Sequence, residues 1–96
     1  MKWFKYPNHS PNLFGSYLVT VKIAKTPKLY VTLSHWTRFG VENKLVASSD
    51  AIEEDDGYGH KTYCWNGWEH PNQLGLDWSK RIIAWMRRPR PFKEKQ

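Results

Sequence analysis

Between Tyr17 and Ala24 the chain alternates without a break: Tyr17, Val19, Val21 and Ile23 fall on one side, Leu18, Thr20, Lys22 and Ala24 on the other. A period of two belongs to an extended chain, and β-branched residues favour that state. Lys25-Thr26-Pro27-Lys28 then interrupts the pattern, because proline has no N–H to give to a ladder. Leu29 to Trp36 alternates again. Leu29, Val31 and Leu33 are expected on its inner face, with Tyr30, Thr32, Ser34 and Trp36 outside. Two such runs joined by a short turn predict an antiparallel hairpin. A hairpin is not stable alone, so the other segments must add strands or cover.

Those segments are short. Residues 1–15 read as an irregular lead-in broken by Pro7, Pro11 and Gly15 and anchored by Trp3, Phe4, Tyr6 and Phe14. Val41 to Ser48 is long enough for one or two helical turns, with Leu45 and Val46 facing inward. Asp50 to Gly59 reads as a mobile acidic loop, because its charges repel and Gly57 and Gly59 loosen it. Thr62 to Trp65 is a short strand. Asn66-Gly67 is the strongest two-residue hairpin signal in the chain, since a type I′ turn needs positive φ at both central positions. Trp68 to His70 would run back. Arg81 to Met86 is the last strand, ended by Pro89 and Pro91. The expectation is a mainly β fold: a small antiparallel meander or partly closed barrel of four or five strands, with at most one short helix in 41–48.

At 96 residues this is a single domain spanning 1–96, with a core too small to hold every ring of a chain that is 16% aromatic. Some rings are therefore expected on the surface, where they serve contact. The single cysteine, Cys64, excludes an internal disulfide, and the N-terminus lacks the apolar stretch of a secretion signal. No apolar run approaches the 18 or so residues of a membrane span. Together these features predict a cytoplasmic protein with no membrane partner.

The formal net charge is +6, which favours an anionic partner and also serves solubility. The charges are sorted along the chain. Asp50, Glu53, Glu54, Asp55 and Asp56 form an acidic stretch within an insertion-like segment, 38–62. Lys80, Arg81, Arg87, Arg88, Arg90, Lys93 and Lys95 crowd the end, where 88–96 reads as a basic tail.

Catalytic and metal chemistry find little support. His60, Cys64 and His70 lie within eleven residues, but His-x3-Cys-x5-His matches no standard zinc spacing and offers one thiolate. The acids lack the alternating rhythm that wraps calcium. Cys64 could pair with His60 or His70 as a nucleophile, yet no oxyanion-forming turn stands beside it. The expectation is a non-enzyme without a cofactor or metal, and a small metal-binding or Cys/His enzyme is the least favoured alternative.

Nucleic acid is a better match, since arginines bind phosphate and rings such as Trp85 and Phe92 interleave with them. The acidic stretch offers a second mode, in which it enters a cationic groove on a protein while Tyr58, Trp65 and Trp68 supply apolar contact. The candidate contact residues are Trp65, Trp68, Arg87, Arg88, Arg90, Asp50, Glu53, Glu54, Asp55 and Asp56.

The two ends of the chain carry a resemblance. Trp3, Pro11 and Gly15-Ser16-Tyr17-Leu18-Val19, with Ile82-Ile83-Ala84-Trp85-Met86 followed by Pro89 and Pro91, resemble a family of short phage and prophage proteins known as a domain of unknown function, number five hundred and fifty-one. Asn66-Gly67-Trp68 corresponds to a middle element of that family. Residues 38–62 stand as an insertion relative to compact members, and Arg87-Arg88 replaces the usual Pro-Leu. The resemblance implies a small β-meander and a phage origin, and no chemistry. The expected function is a phage- or prophage-encoded, non-enzymatic binding protein. Its expected role is stoichiometric inhibition of a host defence system in the anti-CRISPR manner, with a host protein or ribonucleoprotein as partner. The alternative is a non-specific accessory protein that binds DNA or RNA through the tail and exposed rings. Either a monomer or a homodimer fits.

Overall fold

The computed structural model of the protein describes residues 2–89. Six antiparallel strands form one open sheet: β1 (Phe4–Lys5), β2 (Gly15–Lys22), β3 (Leu29–Val41), β4 (Ile52–Asp55), β5 (Lys61–Glu69) and β6 (Ile82–Met86). Their order across the sheet is β1-β6-β2-β3-β5-β4. Helix is limited to two 3-10 turns, Lys44–Val46 and Ser79–Arg81. The mainly β expectation holds, with six strands in place of four or five. No helix among the described residues is long and apolar enough to cross a membrane.

The predicted hairpin is present. β2 and β3 pair from Gly15↔Trp36 to Lys22↔Leu29. At the turn the Ile23 N–H donates to the Lys28 carbonyl, and Lys25 takes a left-handed φ of 62°. The faces of β3, however, are the reverse of the expectation. Directly opposed residues share a face, and Val19 and Val21 stand opposite Thr32 and Tyr30. The face carrying Ser34 and Trp36 therefore turns inward, and both are buried. Leu29, Val31 and Leu33 turn outward and are 53%, 55% and 44% exposed. Both faces of this strand are apolar enough to be core, and the long-range register decides between them.

The core is a ring cluster. Trp36 lies opposite Trp68, and Val19 opposite Trp85, so β3, β5, β2 and β6 each bring a large residue to one face. Val21 and Ile82 complete the buried cluster, with Phe4, Tyr6, Tyr17 and Trp78 packed around it. The rings meet mostly edge to face, as their quadrupoles prefer: Tyr6 and Trp36 are 5.8 Å apart at 73°, Tyr17 and Trp68 5.9 Å apart at 87°. The lead-in is more ordered than expected. Phe4–Lys5 pairs with β6, Pro11 is buried, and the His9 carbonyl accepts from Trp85 Nε1 at 2.9 Å.

Two further expectations are corrected. Asn66-Gly67 does not turn the chain: Lys61 to Glu69 is one continuous strand, with Asn66 opposite Arg38 and Gly67 opposite Thr37. Gly67 has no positive φ. A Cβ there would stand 2.8 Å from Ser79 Oγ, so the residue is selected for close approach rather than for a turn. Leu45 and Val46 do form a helical turn, but it points outward, with Leu45 92% exposed.

Candidate binding cleft and acidic edge

Residues 52–55, read from sequence as part of a loop, form the edge strand β4, hydrogen-bonded to β5 on one side only. Ile52 lies opposite Cys64, and Glu54 opposite Thr62. Cys64 in turn lies opposite Gly40 on β3. The small glycine leaves room there: a Cβ on Gly40 would only just touch Thr62 and Cys64. Two residues back along β3, on the same face, Arg38 reaches Glu54 and forms an ion pair with it. Hydrogen bonds to Cys64 and to Glu54 hold the Arg38 guanidinium above its usual pKa.

The lead-in walls this face. Tyr6, Phe14, Trp36, Arg38, Glu54 and Cys64 are among the residues lining a cleft of about 630 Å³, with Asp50, Ile52 and Trp65 also on its lining. The cleft is therefore aromatic at its base and charged at its rim. Phe14 is 58% exposed, so its ring is open to contact.

The acidic residues are tied into local structure. Glu53 accepts from the Tyr63 hydroxyl at 3.2 Å and lies 3.7 Å from Lys61 Nζ. Asp50 accepts from the Ser48 hydroxyl. Asp55 accepts from the Gly57 N–H, and Asp56 from the N–H groups of Tyr58 and His60. A carboxylate folded back on the backbone makes a turn from residues whose charges would otherwise keep it open. The acidic run is thus an ordered hairpin, and its side chains remain exposed.

The two tryptophans separate. Trp68 is fully buried at the centre of the core, which removes it from the contact surface. Trp65 is half-buried: its ring stacks on Phe39 at 5.5 Å and 13°, and its Nε1 donates to Asp77 Oδ2 at 2.7 Å. Asp77 also accepts from the Ser79 N–H, so one carboxylate pins the chain after β5 against Trp65. Burial pushes the Tyr6 phenol pKa upward, the charges of Asp77 and Asp50 add to the rise, and a hydrogen bond from Ser79 opposes it.

Arg87 and Arg88 follow β6 and are exposed. Arg87 lines a different cavity, of about 570 Å³, with Phe4, His9, Leu13 and Trp85. Three strands separate β6 from β4, so the basic exit and the acidic edge do not form one site. Trp85 is core rather than an exposed stacking ring. Arg90 lies outside the described residues, as do Phe92, Lys93 and Lys95. His60 closes the β4–β5 turn, Cys64 sits beside Arg38, and His70 packs on Trp78 at 4.7 Å. Among the described residues no three His, Cys, Asp or Glu side chains gather as a metal site. Sequence reading missed Arg38, Phe14 and Asp77. Arg38 meets Glu54 16 positions on, Asp77 meets Trp65 12 positions back, and Phe14 joins the cleft only through the fold, so no local pattern points to them.

No family model matches the chain. No solved structure matches it. A stretch of 57 residues, 55% of the chain, is 40% identical to part of the adhesion G protein-coupled receptor E5 of Mus musculus. That stretch spans only 6% of the receptor's length.

Proposed function

We propose that the protein is encoded by a phage or prophage and works by stoichiometric binding, without catalysis, on a component of host defence in the bacterial cytoplasm. The observation that carries this reading is the edge strand β4. All four of its residues are exposed, three of them are acids, and it borders the aromatic cleft. Glu53 and Asp55 point to one face of this extended backbone and Glu54 to the other, so the exposed edge carries carboxylates on both sides, as a nucleic acid strand carries negative charge along its length. It suits a host protein or ribonucleoprotein whose groove is built for such a strand. Charge would speed the encounter, and exposed rings such as Phe14 and Tyr58 would hold the complex. The motifs at the two ends support the phage setting.

The test uses a panel of bacterial strains, each carrying one defence system and challenged with a phage that the system restricts. Expression of the protein should restore plaques in one strain and co-purify there with one defence component in near-equal amounts. The variant E53K/E54K should fold and fail to restore plaques. No restoration in any strain counts against the reading.

The exposed Arg87 and Arg88 favour nucleic acid as the second reading, although the burial of Trp85 removes its stacking ring. Replacing Arg87, Arg88 and Arg90 by Ala should then weaken DNA or RNA retention and flatten its salt dependence. Unchanged retention would end that reading.

A further inference from the structure

Two long stretches of the chain, 1–41 and 78–93, contain no acid. The fold brings parts of both to one end of the sheet. There β2 ends at Lys22, opposite Leu29, and β6 begins at Ile82, opposite Val21 and directly after the turn Ser79–Arg81. Lys22, Lys80 and Arg81 are exposed around a cavity of about 650 Å³. Lys25 and Lys28, in the turn between β2 and β3, add two exposed cations at the same end. The ion pairs among the described residues, Arg38–Glu54 and Lys61–Glu53, draw on none of these five. Among the described residues Asp77 is the one acid on the cavity lining. Both of its carboxylate oxygens already accept hydrogen bonds, from Trp65 Nε1 at 2.7 Å and from the Ser79 N–H at 2.9 Å.

Rings line the same cavity. Trp78 neighbours both Tyr30 and His70, at centroid distances of 6.4 and 4.7 Å. Tyr30 is 42% exposed, and Trp78 and His70 are half-buried. The row is held rigidly. The Trp78 N–H donates to the Trp68 carbonyl at 2.6 Å, and the Trp78 carbonyl accepts from the Arg81 N–H at 3.0 Å. His70 Nδ1 accepts from the Asn72 N–H at 3.1 Å. Fixed, partly open rings set among cations match a strand that carries flat bases on an anionic backbone.

We propose that this end of the sheet binds single-stranded nucleic acid, with bases on Tyr30 and Trp78 and phosphates among Lys22, Lys80 and Arg81. The rings need base faces, which a duplex keeps stacked inside itself. DNA and RNA strands share this chemistry. The site is separate from both surfaces described so far. Arg87 follows the far end of β6, where Met86 lies opposite Leu18. The acidic edge joins the far end of β3, where Val41 lies opposite Tyr63, and Tyr63 opposite Glu53. The 13 residues of β3 run roughly 40 Å. That is several times the screening length of about 8 Å, so the acids of β4 do not neutralise the basic end. The site therefore depends on neither reading of function given above.

The test is fluorescence anisotropy of labelled strands of about 15 nucleotides, oligothymidylate for DNA and oligouridylate for RNA, titrated with the full chain. At least one of them should bind, and more tightly than a duplex of equal length. Three phosphate contacts give a slope of about −2 in log affinity against log salt. K80A/R81A should flatten that slope by about 1.4. Y30A should weaken binding about fivefold or more, the worth of one stacked base. R87A/R88A should leave the slope as it is. Should Y30A fail to fold, amide shifts of the wild type on titration with the bound strand replace it, and they should move at 22, 30, 78 and 80–81. The proposal is overturned if neither strand binds at about 50 mM salt, or if a duplex or inorganic polyphosphate binds equally well. It is also overturned if Y30A binds as the wild type does, if R87A/R88A flattens the slope and K80A/R81A does not, or if the shifts are confined to 87–88.

Discussion

Gly67 and Gly40 separate two reasons for a glycine in a strand. A Cβ at Gly67 would stand 2.8 Å from Ser79 Oγ, 3.0 Å from Asp77 Oδ1 and 3.2 Å from Phe39. Ser79 and Asp77 cannot retreat freely, since each holds a backbone N–H: Ser79 that of Trp68, Asp77 that of Ser79. Gly67→Ala should cost about 1–3 kcal/mol, the range for overpacking a filled site. Gly40→Ala meets only ordinary contacts at 3.4 and 3.5 Å and should change stability by less than about 0.5 kcal/mol. Urea midpoints of the two variants check both values. Tyr6 gives a pH prediction. Its folded pKa lies above the usual 10.0, chiefly through burial. The neutral phenol therefore contributes stability that is complete below the unfolded pKa. That contribution is lost as pH rises from about 10 through the folded pKa. Stability measured between pH 9 and 11 should fall, and Tyr6→Phe should make that fall shallower.

Among the elements, the β4–β5 hairpin has a turn built on carboxylate side chains. Asp56 Oδ1 holds the N–H groups of both Tyr58 and His60. Asp56→Ala removes that hold at an exposed end of the sheet, far from the ring core. Amide exchange should speed up at Thr62 and Glu54, while the global unfolding midpoint moves little, because sheet ends open locally. Equal acceleration at Val19 and Val21 would contradict this. The same hairpin shows what local pattern can and cannot reveal. β2, β3 and their turn were legible because alternation and Pro27 act within a few residues. β4 was not, because four consecutive acids read as a repelling loop until Asp55 and Asp56 are seen folded onto backbone N–H groups. Asn66-Gly67 misled because its glycine answers to Ser79, twelve residues on. Of the cleft, Asp50, Glu54 and Trp65 were anticipated from charge and ring type. Arg38 and Cys64 were brought beside them only by the β3–β5 register.

For the whole molecule, the order β1-β6-β2-β3-β5-β4 places the first and last described strands side by side, so the chain closes on itself only when both ends are in place. The lead-in does more than pair. Phe4 stacks on Trp85 at 4.7 Å, Tyr6 sets its edge against both Trp36 and Trp68, and His9 accepts from the Trp85 indole. These residues cover three core tryptophans that no helix covers. Each buried large ring contributes roughly 3–5 kcal/mol when judged by its removal, and domains of this size have only about 5–15 kcal/mol in total. Removing residues 2–11 should therefore abolish cooperative folding rather than lower its midpoint. Intact protein should unfold with coincident transitions by tryptophan fluorescence and far-ultraviolet circular dichroism. The truncated chain should show red-shifted emission without a sigmoidal transition. If it instead kept a sharp transition a few degrees lower, β2, β3, β5 and β6 would form a self-sufficient sheet, and the lead-in would act as the wall of the cleft alone.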